Sequence, residues 1–175
     1  MTQLLDEAIE LELNMGSLYR IFHHAFPEDA DFWWTLNLEE QNHAALLRSG
    51  KDYFQPLKKF PGALLTAPLE RIRALNVKLA EMKARFQDSP PSREQAFSLA
   101  RVLEGSAGEI HFQRFMEKEP ESYLDELFQR LNKNDRDHLK RIEQYMGEHE
   151  IAPVPLGSNS NISFQIESRG EPDGQ

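Results

Sequence analysis

Apolar side chains recur along this chain at steps of three and four residues, the period of helices that bury one face. Over residues 2–26 the stripe runs through Leu5, Ala8, Ile9, Met15, Tyr19, Phe22 and Phe26, with Glu12 and Gly16 set into it. Thr2 is placed to cap its start. Pro27 ends it, because proline removes a backbone donor and drives the residue before it out of the helical region. Glu28, Asp29 and Asp31 then bring acid to a second helix start, where the helix dipole favours it. The inward stripe of that helix is Trp33, Leu36, Glu40, His43, Leu47 and Phe54, and Pro56, Pro61 and Gly62 break it. Residues 67–87 repeat the pattern with Leu69, Ile72, Leu75, Leu79, Met82 and Phe86, followed by Pro90 and Pro91. Ser92 and Gln95 have the spacing of a capping box. They open a helix from about 93 to 117 with Phe97, Ala100, Glu104, Ala107, Gly108, His111 and Phe115 on one side. Pro120 suits the first turn of a last helix, which carries Leu124, Leu127, Phe128, Leu131, Asp135, His138, Ile142 and Tyr145 until Pro153, Pro155 and Gly157 close it.

No strand periodicity precedes residue 158, so the pattern predicts an all-α fold: four long core helices and one more helix in the long crossover from Gln55 to Arg93. A crossover of that length lets the third core helix start at either end of the bundle. Residues 157–175 are polar and rich in Gly, Ser and Asn, a composition that predicts disorder. Ile162, Phe164 and Ile166 alternate as a strand would, but an isolated strand is weakly supported. The expected organisation is a helical domain over 1–152 and a tail over 153–175.

Composition removes several alternatives. The 175 residues contain no cysteine, which excludes disulfides, thiolate metal sites and cysteine nucleophiles. The net charge of −9, from 20 basic and 29 acidic residues, is opposite to the usual balance of a duplex-binding protein. No apolar run is long enough for a membrane span. The acidic N-terminus lacks the basic segment of a secretory signal, so the expected location is the cytoplasm.

The two halves of the chain repeat. A shift of 92 places Ala8, Leu11, Glu12 and Gly16 on Ala100, Leu103, Glu104 and Gly108. A shift of 95 places Leu36, Asn37 and His43 on Leu131, Asn132 and His138, with Glu40 on Asp135 and Leu47 on Ile142. The repeat is concentrated around residues foreign to a core. Glu12, Glu40, His43, Glu104, Asp135 and His138 all interrupt apolar stripes, and buried carboxylates without partners are costly. Two divalent cations would neutralise the four carboxylates and take the two imidazoles as further ligands. The acid-x-x-His spacing places both side chains of each pair on one helix face. An acid from each of two helices and an acid-x-x-His pair from each of two others is the donor pattern of di-iron and di-manganese helical bundles.

At these residues the chain resembles the ferritin-like superfamily, and within it the rubrerythrin-type branch. The segment Ala8-Ile9-Glu10-Leu11-Glu12, with Tyr19 seven residues after Glu12, resembles the first-helix motif of the family. Glu39-Glu40-Gln41-Asn42-His43 resembles its second-helix motif. The resemblance spans residues 4–149. It implies a ferritin-like four-helix bundle with a dinuclear non-haem iron centre, held by Glu12, Glu40, His43, Glu104, Asp135 and His138, with Glu40 and Asp135 as bridges. Tyr19 and His111 are candidates to support those ligands, and manganese accepts the same donors. The chain departs from the family pattern in four ways. It has no cysteine for a rubredoxin domain, so its electrons must come from an external donor. Ala107 stands where rubrerythrin has an additional glutamate. His111 is the counterpart of Tyr19, and Asp135 is one methylene shorter than the family's glutamate. The implied activity is reduction of peroxide or dioxygen, that of a di-iron peroxidase or oxidase. Iron sequestration and a metal-free partner-binding bundle are the other readings. A homodimer is expected, with Trp33 and Trp34 as core or dimer contacts. No nucleic-acid or membrane partner is expected.

Overall fold

A computed structural model describes residues 2–58, 60, 68–105, 117–131 and 138–156. Among them the regular structure is entirely helical: α1 (Thr2–Ala25), α2 (Ala30–Ser49), α3 (Leu69–Asp88), α4 (Arg93–Glu104), α5 (Tyr123–Leu131) and α6 (His138–Glu148). None of these helices is long and apolar enough to cross a membrane. The predicted positions Asp135 and His111, residues 106–116 of the fourth predicted helix, and the tail from 157 lie outside the described residues.

The helix boundaries follow from local chemistry. Phe26, directly before Pro27, is pushed to φ −125°, ψ 84°, and the chain turns through the short 3₁₀ segment Pro27–Asp29 into α2. Ser92 and Gln95 form the predicted capping box at the start of α4, with both reciprocal bonds made. Two expectations are corrected. Pro120 precedes α5 rather than occupying its first turn, because Ser122 caps that helix by accepting the Asp125 N–H at 3.1 Å. Thr2 is the first residue of α1, and its hydroxyl accepts a bond from Gln55 Nε2 at 2.8 Å. Beyond Ser49, α2 widens into a π-helical turn, Gly50–Phe54, closed by Gln55 N–H to Gly50 O at 3.0 Å.

Side-chain pairings fix the helix directions. Lys51 bonds Asp6, and His23 Nδ1 lies 2.9 Å from Ala30 O, so α1 and α2 are antiparallel neighbours. In the crossover, Arg73 and Asn76 bond Glu7, while Asn76 and Lys83 bond Asn14. Those pairs ascend together, so α3 runs back parallel to α1 and delivers the chain to α4 in the direction of α2. Helix α6 runs antiparallel to both, pairing Arg141 with Glu39, and His138 with Glu40 and Glu104.

Among the described residues the interior has two apolar clusters. One contains Tyr19, Phe22, Trp33, Phe97, Leu103 and Ile142; the other contains Leu5, Ala8, Ile9, Ala44, Leu47 and Phe128. Glu40 and His43 fall between the two along α2, and Glu12 lies on α1 between Leu11 and Met15 of the first cluster. Gly16 lets those helices approach there: a Cβ at this position would lie 3.3 Å from both Asn37 O and Glu40 Cβ. Gly16→Val is therefore expected to push α2 outward. It should cost about 1–3 kcal/mol through overpacking, read as a lowered thermal midpoint together with weakened metal retention.

Candidate metal centre

Five of the six predicted ligands fall among the described residues, and these five converge. Glu12 comes from α1, Glu40 and His43 from α2, Glu104 from α4 and His138 from α6. Glu40 and Glu104 are 0% exposed, His138 1% and His43 2%. The two carboxylate oxygens of Glu40 face different imidazoles. Oε2 accepts a bond from His43 Nδ1 at 3.3 Å, and Oε1 lies 3.0 Å from His138 Nδ1. Each half of the repeat adds its own acid to its own histidine: Glu12 Oε2 is 3.7 Å from His43 Nδ1, and Glu104 Oε2 is 3.2 Å from His138 Nδ1. The two imidazoles stack at 5.3 Å, inclined by 21°.

The buried carboxylates and imidazoles control one another's protonation. Burial pushes the Glu12 carboxyl up, and the adjacent Glu40 charge adds to this; His43 opposes them, leaving Glu12 at about 8. Burial acts to raise Glu40 as well, but His138 and His43 hold it well below the usual carboxylate range. Burial acts to lower His43, yet the Glu12 and Glu40 carboxylates outweigh it and lift the imidazole well above its usual value. His138 is lifted in the same way against burial, by Glu104 and Glu40.

These residues suit a cation. Glu40, His43 and His138 each offer a donor atom within 4.8 Å of the others, in a fully buried group that can hold a metal ion. Glu12 Oε2 and Glu40 Oε1 are buried and make no hydrogen bond among the described residues. In the metal-free protein a proton on Glu12 and the His138 imidazole beside Glu40 Oε1 compensate these oxygens, and a positive ion would do so in their place. Carboxylate and imidazole donors fit iron, manganese or zinc, so the donor set alone does not choose the metal.

Tyr19 is fully buried and donates its hydroxyl to Glu104 Oε1, leaving Oε2 toward His138. Two further residues at the centre were not legible as site residues. Arg141 bonds both oxygens of Glu39, at 2.8 Å to Oε1, and Glu39 Oε2 lies 3.2 Å from His138 Nε2. Burial acts to raise Glu39, but His138 and Arg141 hold it below its usual value. Glu39 thus faces the second nitrogen of His138 and orients Nδ1 toward Glu40 and Glu104. The available signal was the three-residue spacing of His138 and Arg141 on one helix face.

Compared with models of protein families, with curated proteins and with solved structures, the chain matches none. The functional reading therefore rests on its own residues.

Orienting carboxylates of this kind typically govern metal affinity. Glu39→Gln is expected to weaken metal binding roughly 10–100-fold, read by titration against a chelator. Unchanged affinity would reduce Glu39 to a surface partner of Arg141.

Proposed function

We propose that this chain is a dinuclear metal oxidoreductase built as a ferritin-like four-helix bundle. It would reduce hydrogen peroxide, or dioxygen, with electrons from an external donor. The observation that carries this reading is Glu40, whose two oxygens each face a different histidine. A carboxylate so placed is disposed to bridge two cations, with Glu12 and His43 completing one side and Glu104 and His138 the other. The helix directions support the bundle: α2 and α4 run one way, α1 and α6 the other, with α3 returning the chain between them. Asp135 supplies the fourth carboxylate of the proposed set, by its place in the repeat.

Two iron ions, or two of manganese, would supply the electrons that cleave an O–O bond. The protein's own contribution is more varied. Glu12, Glu40 and Glu104 offset cationic charge inside an apolar interior. Glu39 and Arg141 hold one imidazole in a single orientation. Tyr19 fixes one Glu104 oxygen and frees the other. The surrounding Phe22, Trp33, Phe97 and Leu103 exclude bulk water and limit side reactions.

The test is metal content per chain after anaerobic loading with ferrous iron, followed by oxidation with peroxide or dioxygen. About two irons per chain are expected, oxidised faster by peroxide. Preference for dioxygen would assign an oxidase, and many irons per chain would assign sequestration. No retained metal would leave a partner-binding helical module.

A further inference from the structure

Two buried nitrogens on α2 donate to nothing among the described residues. They are Trp33 Nε1, in a residue 0% exposed, and Asn37 Nδ2, in one 1% exposed. Buried polar groups are normally satisfied, and an orphaned donor is costly. The other end of the Asn37 amide is occupied: its Oδ1 accepts a bond from Gln41 Nε2 at 3.0 Å.

Both donors belong to the candidate centre. Trp33, Asn37 and Glu40 follow one another at steps of four and three, so they lie along one face of α2. Across from them α1 presents Tyr19 and Gly16. Tyr19 stacks on Trp33 with centroids 5.8 Å apart and bonds Glu104. A Cβ at Gly16 would lie 3.3 Å from Glu40 Cβ and 3.4 Å from Asn37 Oδ1, so the missing side chain leaves the amide its place beside Glu40. The sequence repeats this pairing. Gly16 and Asn37 recur as Gly108 and Asn132, and each asparagine stands three residues before the acid of an acid-x-x-His pair, Asn37 before Glu40 and Asn132 before Asp135. Core packing alone gives no reason for an amide at this position; an acceptor that occupies the site does.

The surroundings define that acceptor. It is small, because Tyr19, Phe22 and Phe97 pack around Trp33. It is uncharged, because Glu12, Glu40 and Glu104 oppose an anion and neither donor carries a charge to offset one. Of the two oxidants considered above, hydrogen peroxide meets these terms, since each of its oxygens accepts a hydrogen bond. Dioxygen is a feeble acceptor. We propose that Asn37 and Trp33 form a donor pair that holds hydrogen peroxide beside Glu40 and selects it over dioxygen, an inference that rests on the redox reading above. Water, the other small neutral acceptor, occupies the pair at rest and is displaced by peroxide.

The experiment uses the full chain, isotope-labelled on nitrogen and loaded with zinc, which takes the same donors without redox chemistry. Hydrogen peroxide is titrated in, and proton–nitrogen correlation spectra are recorded. Trp34→Phe assigns the two indole resonances, and Asn37→Leu assigns the amide. The Trp33 indole and the Asn37 amide should shift together and saturate, while the indole of Trp34, which is 42% exposed, should not. Asn37→Leu should weaken the saturating shift at Trp33 about tenfold, the loss of one hydrogen bond. In the iron-loaded chain the same variant should lower the ratio of peroxide to dioxygen oxidation rates about tenfold, and Trp34→Phe should leave that ratio unchanged. If Asn37→Leu does not fold, the Trp33 indole in the unaltered chain decides. Donor resonances that show contact with bound water but no response to peroxide would mean a structural water only, and would overturn the peroxide site while leaving the metal centre standing. So would a ratio unaltered by Asn37→Leu. A chain that retains neither zinc nor iron would instead remove the metal centre, and this inference with it.

Discussion

On the dinuclear reading proposed above, replacing Glu40 with alanine is expected to reduce retained metal from about two ions per chain to none. The reason is positional. Glu40 is the one described side chain with an oxygen toward each histidine, 3.3 Å from His43 Nδ1 and 3.0 Å from His138 Nδ1. Its loss removes a donor from both sides at once, whereas loss of Glu12 or Glu104 removes a donor from one. Glu40→Gln tests the same point with less disturbance to packing, since it keeps the shape and removes the charge. Both variants should keep their helical circular dichroism, with metal measured after gel filtration. Two ions still held by Glu40→Ala would refute the bridging assignment.

The second large effect is a reversal of pH dependence on metal loading. In the metal-free protein, Glu12 is raised from 4.5 to about 8, and His43 and His138 are raised well above their usual values. Groups raised in this way bind protons more tightly in the folded chain. The stability they contribute is present below the unfolded values and is lost as pH rises through the folded ones. Glu39 and Glu40 are lowered, so their contribution is present above the ordinary carboxylate value of 4.5 and is lost as pH falls. The metal-free protein should therefore lose stability on the alkaline side as Glu12 and the imidazoles give up their protons. A metal replaces those protons, and its affinity must rise with pH. Calorimetry should show a metal-induced increase in thermal midpoint that grows between about pH 6 and pH 8. Titrations in buffers of different ionisation heat should show protons released on binding. A midpoint shift independent of pH would mean that the metal binds elsewhere.

Much of this centre was legible because charge in an apolar stripe is conspicuous. Glu12, Glu40, His43, Glu104 and His138 each break a helical pattern, and the internal repeat aligns them. Glu39 was not legible. It is next to Glu40 on a different helix face, and its partner Arg141 is distant in sequence and adjacent only after folding. The direction of α3 was also open, since the crossover is long enough for either. It is settled by Asn14, Asn76, Glu7, Arg73 and Lys83, polar residues whose pairing only the assembled helices reveal. In the sequence Asp29 is only one of the acids at the start of α2, and in the fold it is buried against Arg93 and Tyr145. Residues 117–123, leading into α5, are exposed.

The band of charge between the two apolar clusters bears on cooperativity. Each cluster can hold its own end of α1 and α2 together, while the band between them resists dehydration unless its charges are compensated. Without metal, amide hydrogens around Leu5–Ile9 should exchange through openings independent of those around Leu18–Phe22. Metal would join the two compartments into one unfolding unit, so that a bound ion would also set how much of the molecule must open at once.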